Sequence, residues 1–444
     1  MNKPNIFILT IDSLRKDKIF DETSTAVIPN FNWLKQHSSS FTDAISASDE
    51  TGRSLGCLFT GLYPYNSEIT HFNFNSSIPN IFSILNENGY SRYASVPDVS
   101  FFMNLTKDFE ICDSYVYDKR DLWLQLNGGI GEKIIQFLKN KKTEPWIYYI
   151  HLMDLHSPFF IPKEFDNQKY GRTRYERMIS SIDVWLGKIL KELDLENTLL
   201  IITADHGEYI PIIEKEVNYN SLKRKILKKG KNLFPFLEST GVKLSILDRN
   251  IKKKYAQKKY ERKFSKNETR TLRSRGEDVL YDDVLRIPLF IFGKNIPIKF
   301  FSEQVSQVDI LPTIFEYLDL KFMSENIDGN SFCPLFFDES FKEEFVYIES
   351  GSRDPKKLGS VIGLRTTKFK YFRSRINSSE NKHLYNLITD PFEEKNLIGT
   401  LPKIEDEMEN ILLNFCSNHT SSLPKFDEDQ SKEIENELRK LGYL

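Results

Sequence analysis

Apolar runs and amphipathic stretches alternate along roughly the first 200 residues of the chain. The runs are short enough for buried strands, and the stretches between them carry apolar residues at helical spacing. The predicted strands are Ile6–Ile11, Phe41–Ile45, Trp146–His151, Leu199–Thr203 and Phe290–Phe292. The predicted helices are Asn30–Gln36, Ile78–Asn88, Leu122–Leu138, Tyr175–Leu193 and Val308–Leu318. This alternation is typical of an α/β fold whose mostly parallel central sheet is covered on both faces.

The pattern changes after about residue 340. Short strand-like runs come first, and a helix follows them; these are Phe345–Ile348, Val361–Leu364, Phe369–Phe372 and Ile404–Phe415. We therefore predict an α/β domain over residues 1–340 and a small α+β subdomain with a tail over residues 341–444. Residues 211–275 break the rhythm of the first domain and are predicted to form a helical insertion.

Charge is distributed unevenly along the chain, although the net charge is only −2. The insertion at 211–275 holds 20 basic and 6 acidic residues, whereas the rest of the chain holds 41 and 57. Such a segment can draw a polyanionic substrate towards a nearby site, or it can be a solvated arm without a specific role. No nucleic-acid recognition motif accompanies it, so we expect no specific nucleic-acid partner.

The composition is that of an ordinary globular protein. Of 444 residues, 40% are hydrophobic and 28% charged, which excludes a disordered or collagen-like chain. The four cysteines are widely spaced and form no C-x-x-C pair, so a disulfide framework and a structural zinc site are not expected. No apolar run approaches the length of a membrane helix or a signal peptide, and we expect a cytoplasmic protein without a transmembrane segment.

Two predicted strands end in residues that can bind a metal ion. Asp12 follows the strand Ile6–Ile11, and Asp205 and His206 follow the strand Leu199–Thr203. Parallel strands direct their carboxyl ends to the same edge of a sheet, where open α/β sheets place their sites. Two carboxylates and an imidazole at this edge suit a divalent metal ion. The alternative for Asp12 is a helix cap, which is the commoner role of an Asp after a strand.

A hydroxyl residue opens the helix that follows the second strand. Thr51 precedes the stretch Gly52–Gly61 and would lie among the unpaired backbone N–H groups of a helix start, which favour the oxygens of an anion. The simpler interpretation of Thr51 is an N-cap.

Taken together, these segments resemble the sulfatase branch of the alkaline-phosphatase superfamily. The matching stretches occur in the family's order, and they are Ile8–Asp17, Thr51–Pro64, His151–Pro158, Ile202–Glu208, Leu280–Leu289, Val308–Ile314, Asp328–Gly329 and Leu384–Leu397. The resemblance implies an αβα sandwich with one active site at the carboxyl edge of the sheet.

Position by position, the resemblance also implies roles for individual residues. Asp12, Asp205 and His206 match metal ligands of the family, and Thr51 falls on the position of the nucleophile, where it would also bind the metal. His156 matches a histidine near the anionic group or the leaving oxygen of the substrate. These residues suffice for one divalent metal ion, which would be Mn, Mg, Ca or Zn.

Further residues of this region receive lesser roles. His151 is interpreted as a strand residue with a core or supporting role, and Asp154 as a residue that orients its neighbours.

The chain departs from the family pattern around the nucleophile. Sulfatases usually carry a cysteine there that is oxidised to formylglycine; the residue here is Thr51, so no formylglycine is expected. Arg53 lies two residues before the family's arginine position and is a candidate for substrate binding. Arg275 is the nearest basic residue to a further family position and is a second candidate. Ser13 stands where many sulfatases have a second acidic residue.

We therefore predict a metal-dependent hydrolase that cleaves a sulfuric or phosphoric ester through a covalent Thr51 intermediate. A threonine ester has no second hydroxyl for elimination, which favours phosphoric esters, and threonine-containing branches of the superfamily include phosphodiesterases and phosphonate hydrolases. The alternatives are a transferase that moves a phosphoalcohol group onto a glycan and a catalytically silent binding protein. The expected substrate is an anionic ester, which includes polyanionic glycans and lipid headgroups.

Overall fold

The computed structural model describes residues 3–67, 69–70, 74–115, 125–140, 142–156, 160–210, 279–320, 327–351 and 360–417. The chain divides into two compact units, one of residues 1–208 with 275–444 and one of residues 209–274. The predicted insertion beyond residue 210, the candidate Arg275 and the tail after residue 417 lie outside the described residues.

The described part of the chain contains thirteen strands and eleven α-helices. The strands are β1 Asn5–Ile11, β2 Ser39–Ile45, β3 Ser91–Pro97, β4 Ile111–Tyr115, β5 Trp146–Leu152, β6 Thr198–Thr203, β7 Arg286–Phe292, β8 Phe300–Phe301, β9 Val305–Ser306, β10 Val346–Glu349, β11 Val361–Arg365, β12 Phe369–Ser374 and β13 His383–Asn386. The helices are α1 Asp17–Phe20, α2 Pro29–His37, α3 Thr51–Thr60, α4 Pro64–Ser67, α5 Ile81–Glu87, α6 Ser100–Thr106, α7 Gly131–Lys139, α8 Arg174–Glu192, α9 Asp282–Leu285, α10 Ile310–Tyr317 and α11 Pro402–Ser417.

A large, mostly parallel sheet forms the centre of the fold. Its strand order is β4-β3-β5-β1-β6-β7-β2-β8, with β9 also paired to β2, and only the pairings of β7 are antiparallel. Every residue of β1, β5 and β6 is buried, so both faces of these central strands are covered. The predicted α/β fold class is confirmed.

Four strands of this sheet have no counterpart among the predicted strands, and two of them, β8 and β9, are only two residues long. β3 begins with the polar pair Ser91 and Arg92, and the edge strand β4 is largely exposed. Neither β3 nor β4 shows the continuous apolar run that marks the central strands, because polar residues interrupt both segments and only Tyr115 of β4 is buried.

A small antiparallel sheet of order β10-β11-β12-β13 follows, as predicted for the C-terminal region, and α11 packs against β11 and β12. Within the described residues, no helix combines the length and the apolar character that a membrane crossing requires.

Candidate active site

Three neighbouring parallel strands bring distant parts of the sequence to one edge of the sheet. β1 lies between β5 and β6, with Thr10 aligned with His151 on one side and with Thr203 on the other. Asp12 and Asp205 each stand two residues beyond these aligned positions, just after their strands. The acidic residues predicted to meet at the carboxyl edge are therefore close in space.

The turn after β1 holds both carboxylates. Ser13 has a left-handed backbone conformation, with φ of 62°, and its N–H donates to Asp205 Oδ1 at 3.0 Å. The Ser13 hydroxyl donates to Asp12 Oδ1, and the Tyr175 hydroxyl donates to the Ser13 carbonyl at 2.5 Å. These bonds occupy the Oδ1 atoms of Asp12 and Asp205 and so fix the directions of both side chains.

The segment after β6 is also fixed by hydrogen bonds and close packing. A carbonyl can only accept, so the 2.9 Å contact between His206 Nδ1 and the Gly207 carbonyl makes Nδ1 the donor and leaves Nε2 with its lone pair. A Cβ atom at Gly207 would lie 2.1 Å from the Asp283 carbonyl oxygen, which explains the glycine. The Gln307 side-chain amide donates to the Asp205 carbonyl at 2.8 Å.

Thr51 is the first residue of α3 and meets these groups from the other side. Its Oγ1 lies 3.3 Å from Asp12 Oδ2 and 3.2 Å from His206 Nε2. Asp12, Asp205 and His206 are fully buried, whereas Thr51 is only partly buried. Thr51 is thus the member of this group that solvent, and hence a substrate, can reach.

The donor atoms are spaced as ligands of one ion would be. Besides the two Thr51 contacts, His206 Nε2 lies 3.3 Å from Asp205 Oδ2. Adjacent ligands at about 2.0–2.4 Å from one ion are separated by about 3.0–3.7 Å, whichever of the common divalent metals is bound. Asp12, Thr51, Asp205 and His206 therefore fit a single divalent metal ion, and their individual roles as ligands stay predictions.

His151 is a further candidate ligand that the sequence prediction assigned to the core. Ligand atoms of Asp12, His151 and Asp205 all lie within 4.8 Å of one another, and His151 Nε2 is 3.9 Å from Asp12 Oδ2. The signal that points to His151 is its position one residue before the end of β5, in register with β1. Within an apolar strand a lone histidine otherwise resembles a core residue.

The loop after β5 carries Asp154 and His156, both buried. Asp154 Oδ1 accepts the Leu126 N–H at 3.2 Å, and burial raises the pKa of the Asp154 carboxyl to about 7. The His156 N–H donates to the Met153 carbonyl at 2.9 Å, which makes a turn at the position of the predicted catalytic histidine.

Arg53, two residues after Thr51 in α3, is buried between carboxylates. Its guanidinium donates to Glu349 of β10 and lies 3.0 Å from Glu50 Oε2. The Glu349 N–H in turn donates to the Ala47 carbonyl at 2.9 Å, in the loop that leads to Thr51. The substrate-binding role of Arg53 stays a prediction. In the structure its charge already has two carboxylate partners.

A comparison with protein families identifies the chain. The profile of the sulfatase family matches residues 4–320, which is most of the chain. The chain belongs to the sulfatase family. A second profile, N-sulphoglucosamine sulphohydrolase C-terminal, matches residues 276–417 of this sulfatase-family chain. Members of the family are ester hydrolases that generally bind a divalent metal ion, and the buried Asp12, His151 and Asp205 group fits that property.

Two curated relatives show how far the similarity extends. An uncharacterized protein of Haemophilus influenzae is 26% identical over 211 residues, which cover 46% of this chain and 32% of that protein. Arylsulfatase K of Gallus gallus is 20% identical over 450 residues, which cover 93% of this chain and 82% of that protein. The chain thus spans about a third of the first relative and most of the second.

Solved structures of similar fold include enzymes named for two chemistries. The phosphonate monoester hydrolase of Agrobacterium radiobacter has a TM-score of 0.66 at 16% identity, covering 96% of this chain and 99% of that one. A 2-O GAG sulfatase has a TM-score of 0.64 at 17% identity, covering 96% and 98%. At these identities the likeness establishes the fold.

Proposed function

We propose that this chain is a metal-dependent hydrolase of sulfuric or phosphoric esters in which Thr51 is the nucleophile. The observation that carries the proposal is the position of Thr51 Oγ1, within 3.3 Å of both Asp12 Oδ2 and His206 Nε2 at the accessible side of a buried acidic site. Family membership supports the reaction class, and the residue types at this site supply its chemistry.

Each part of the site has its own role in the proposed reaction. Asp12 Oδ2 accepts the Thr51 hydroxyl proton, and Oγ1 attacks sulfur or phosphorus as the bond to the ester oxygen breaks. The N-terminal N–H groups of α3 favour the negative charge of the transferred group, since a helix start leaves them without intrahelical acceptors. A bound divalent ion would lower the pKa of the hydroxyl and offset charge on the transferring oxygens. His156 would give the leaving oxygen its proton.

Release of the covalent intermediate distinguishes this chain from a formylglycine sulfatase. A formylglycine hydrate can expel its sulfate by elimination, but an ester on Thr51 must be cleared by attack of water at sulfur or phosphorus. Phosphoryl groups suit that route better, which agrees with the fold similarity to a phosphonate monoester hydrolase. We therefore place phosphoric esters ahead of sulfuric esters among the substrates to test.

The substrate is proposed to be an anionic ester, with glycans first among the larger ones. Support comes from the basic composition of residues 211–275 and from the fold similarity to a 2-O GAG sulfatase. The helical insertion, the residue 340 boundary and the cytoplasmic location remain predictions from the sequence.

Turnover of aryl sulfate, aryl phosphate and aryl phosphonate esters tests the proposal. We expect Thr51→Ala to lower kcat/KM by at least about a thousandfold while the metal content stays measurable, because the nucleophile is lost. The matched control is Thr400→Ala, an exposed threonine of the C-terminal loop region, which should turn over like the wild type.

Two outcomes would contradict the proposal. Equal turnover by Thr51→Ala and the wild type would remove Thr51 from the mechanism. An added acceptor alcohol that takes up all of the transferred group, with no hydrolysis product, would show a transferase instead.

A further inference from the structure

His151 lies next to the acidic residues of the site, which a role in the hydrophobic core alone does not explain. It is the penultimate residue of β5 and fully buried, and its Nε2 lies 3.9 Å from Asp12 Oδ2. A ring nitrogen of His151 and one carboxylate oxygen each of Asp12 and Asp205 all lie within 4.8 Å of one another. The ring packs against Phe102, with ring centroids 4.8 Å apart, so its orientation is fixed from the side. The imidazole is therefore held with one nitrogen directed at the acidic site.

The two ring nitrogens of His151 have different surroundings. Nδ1 lies 3.3 Å from the Tyr149 hydroxyl, a hydrogen-bond distance. Among the residues that the structure describes, Nε2 has no hydrogen-bond partner, and its 3.9 Å separation from Asp12 Oδ2 is too long for one. A buried nitrogen in this situation is costly unless something else binds it.

A metal ion bound to Nε2 would remove the cost of burying this nitrogen. The Tyr149 hydroxyl can accept a hydrogen bond from Nδ1–H, and in that tautomer Nε2 presents its lone pair to the site, which is the usual arrangement of a histidine ligand. Ser13 stands at the position where many sulfatases have a second acidic residue, so this position supplies no carboxylate. Its hydroxyl donates a hydrogen bond to Asp12 Oδ1.

We propose that His151 is an inner ligand of the metal ion and that the site is selective for zinc over calcium. The inference rests on the proposed metal-dependent function and adds the identity of the ion and of one ligand. The donor set becomes two carboxylates, two imidazoles and the Thr51 hydroxyl. Calcium prefers oxygen ligands alone, whereas imidazole nitrogens favour zinc and its neighbours among the transition metals.

Metal binding by the full chain, stripped of metal with a chelator, tests the selectivity. We expect Zn²⁺ to bind at least about a thousandfold more tightly than Ca²⁺. His151→Gln should weaken Zn²⁺ binding at least about tenfold and change Ca²⁺ binding less than about threefold, since a nitrogen donor is lost. The matched control is His37→Gln at the end of α2, whose Nδ1 bonds the Trp33 carbonyl and which should bind both ions like the wild type.

X-ray absorption at the zinc edge supplies a readout that does not depend on a variant that folds. The zinc-loaded wild type should show two imidazole ligands. One imidazole, or tighter binding of Ca²⁺ than of Zn²⁺, would overturn the inference.

Ester turnover separates this inference from the proposed function. If the protein binds zinc through two imidazoles but cleaves no ester, the metal inference holds and the proposed function is wrong. If turnover depends on Thr51 but the protein selects calcium, the proposed function holds and the metal inference is wrong.

Discussion

At the scale of single residues, the Asp154 carboxyl is buried at a cost that varies with pH. Burial raises its pKa to about 7 from 3.8, although the Leu126 N–H donates to Asp154 Oδ1 at 3.2 Å and favours the charged form. Because the folded state holds this proton to higher pH than the unfolded state, the carboxyl destabilises the fold progressively from about pH 4 to about pH 7.

Asp154→Asn is expected to remove that dependence, since the amide oxygen can still accept the Leu126 N–H. The unfolding free energy of the variant minus that of the wild type should rise by at most about 4 kcal/mol between about pH 4 and pH 8. Urea unfolding at a series of pH values measures this difference, and a difference that stays flat would contradict the shifted pKa.

At the scale of elements, the start of α3 depends on β10 in the small sheet. Two arginines form ion pairs with the buried Glu349: Arg53 of α3 and Arg375, which directly follows β12. The Tyr347 hydroxyl also donates a hydrogen bond to Glu349, at 2.9 Å. Removing the guanidinium of Arg53 should therefore disturb stability more than substrate affinity.

We expect Arg53→Met to lower the unfolding free energy by about 2 kcal/mol, because Glu349 keeps only part of its compensation. KM for an aryl ester should change less than about twofold. Denaturant unfolding and steady-state kinetics measure the two effects, with exposed Arg172→Met as the control. A large rise in KM with unchanged stability would instead support the substrate-binding role predicted from the sequence.

At the scale of the whole described fold, a buried ionic network joins the two sheets. Arg365 of β11 pairs with Asp43 of β2 and with Asp282 of α9, and Lys370 of β12 lies 2.6 Å from Asp282. Lys370 Nζ also lies 2.5 Å from Glu393. Although burial opposes it, the charges of Arg365 and Lys370 hold the pKa of Asp282 well below its usual range.

Lys370→Met should leave this network with an excess of buried negative charge and lower the unfolding free energy by about 4 kcal/mol. The exposed Lys368→Met is the control and should behave like the wild type. Thermal or urea unfolding followed by tryptophan fluorescence checks the prediction. Equal stability of the two variants would show that the network does not hold the sheets together.

Sequence patterns predicted the parts of this protein that are encoded locally. The central strands are continuous apolar runs, and Asp12, Asp205 and His206 follow strand ends, so their meeting at one edge could be inferred. His151 required the register between β5 and β1, which a single strand does not reveal. One of the two partners of Arg53 is Glu349, 296 positions away, and no local pattern connects them.

The most direct test of the central claim is a search for a covalent bond on Thr51. Rapid acid quenching of an aryl phosphate reaction, followed by mass spectrometry of the peptide that contains Thr51, would detect a phosphoryl group there. We predict a phosphorylated Thr51 that forms with the burst of released aryl alcohol and is absent from Thr51→Ala. A turning-over enzyme with a phosphoryl group on another residue would contradict the account.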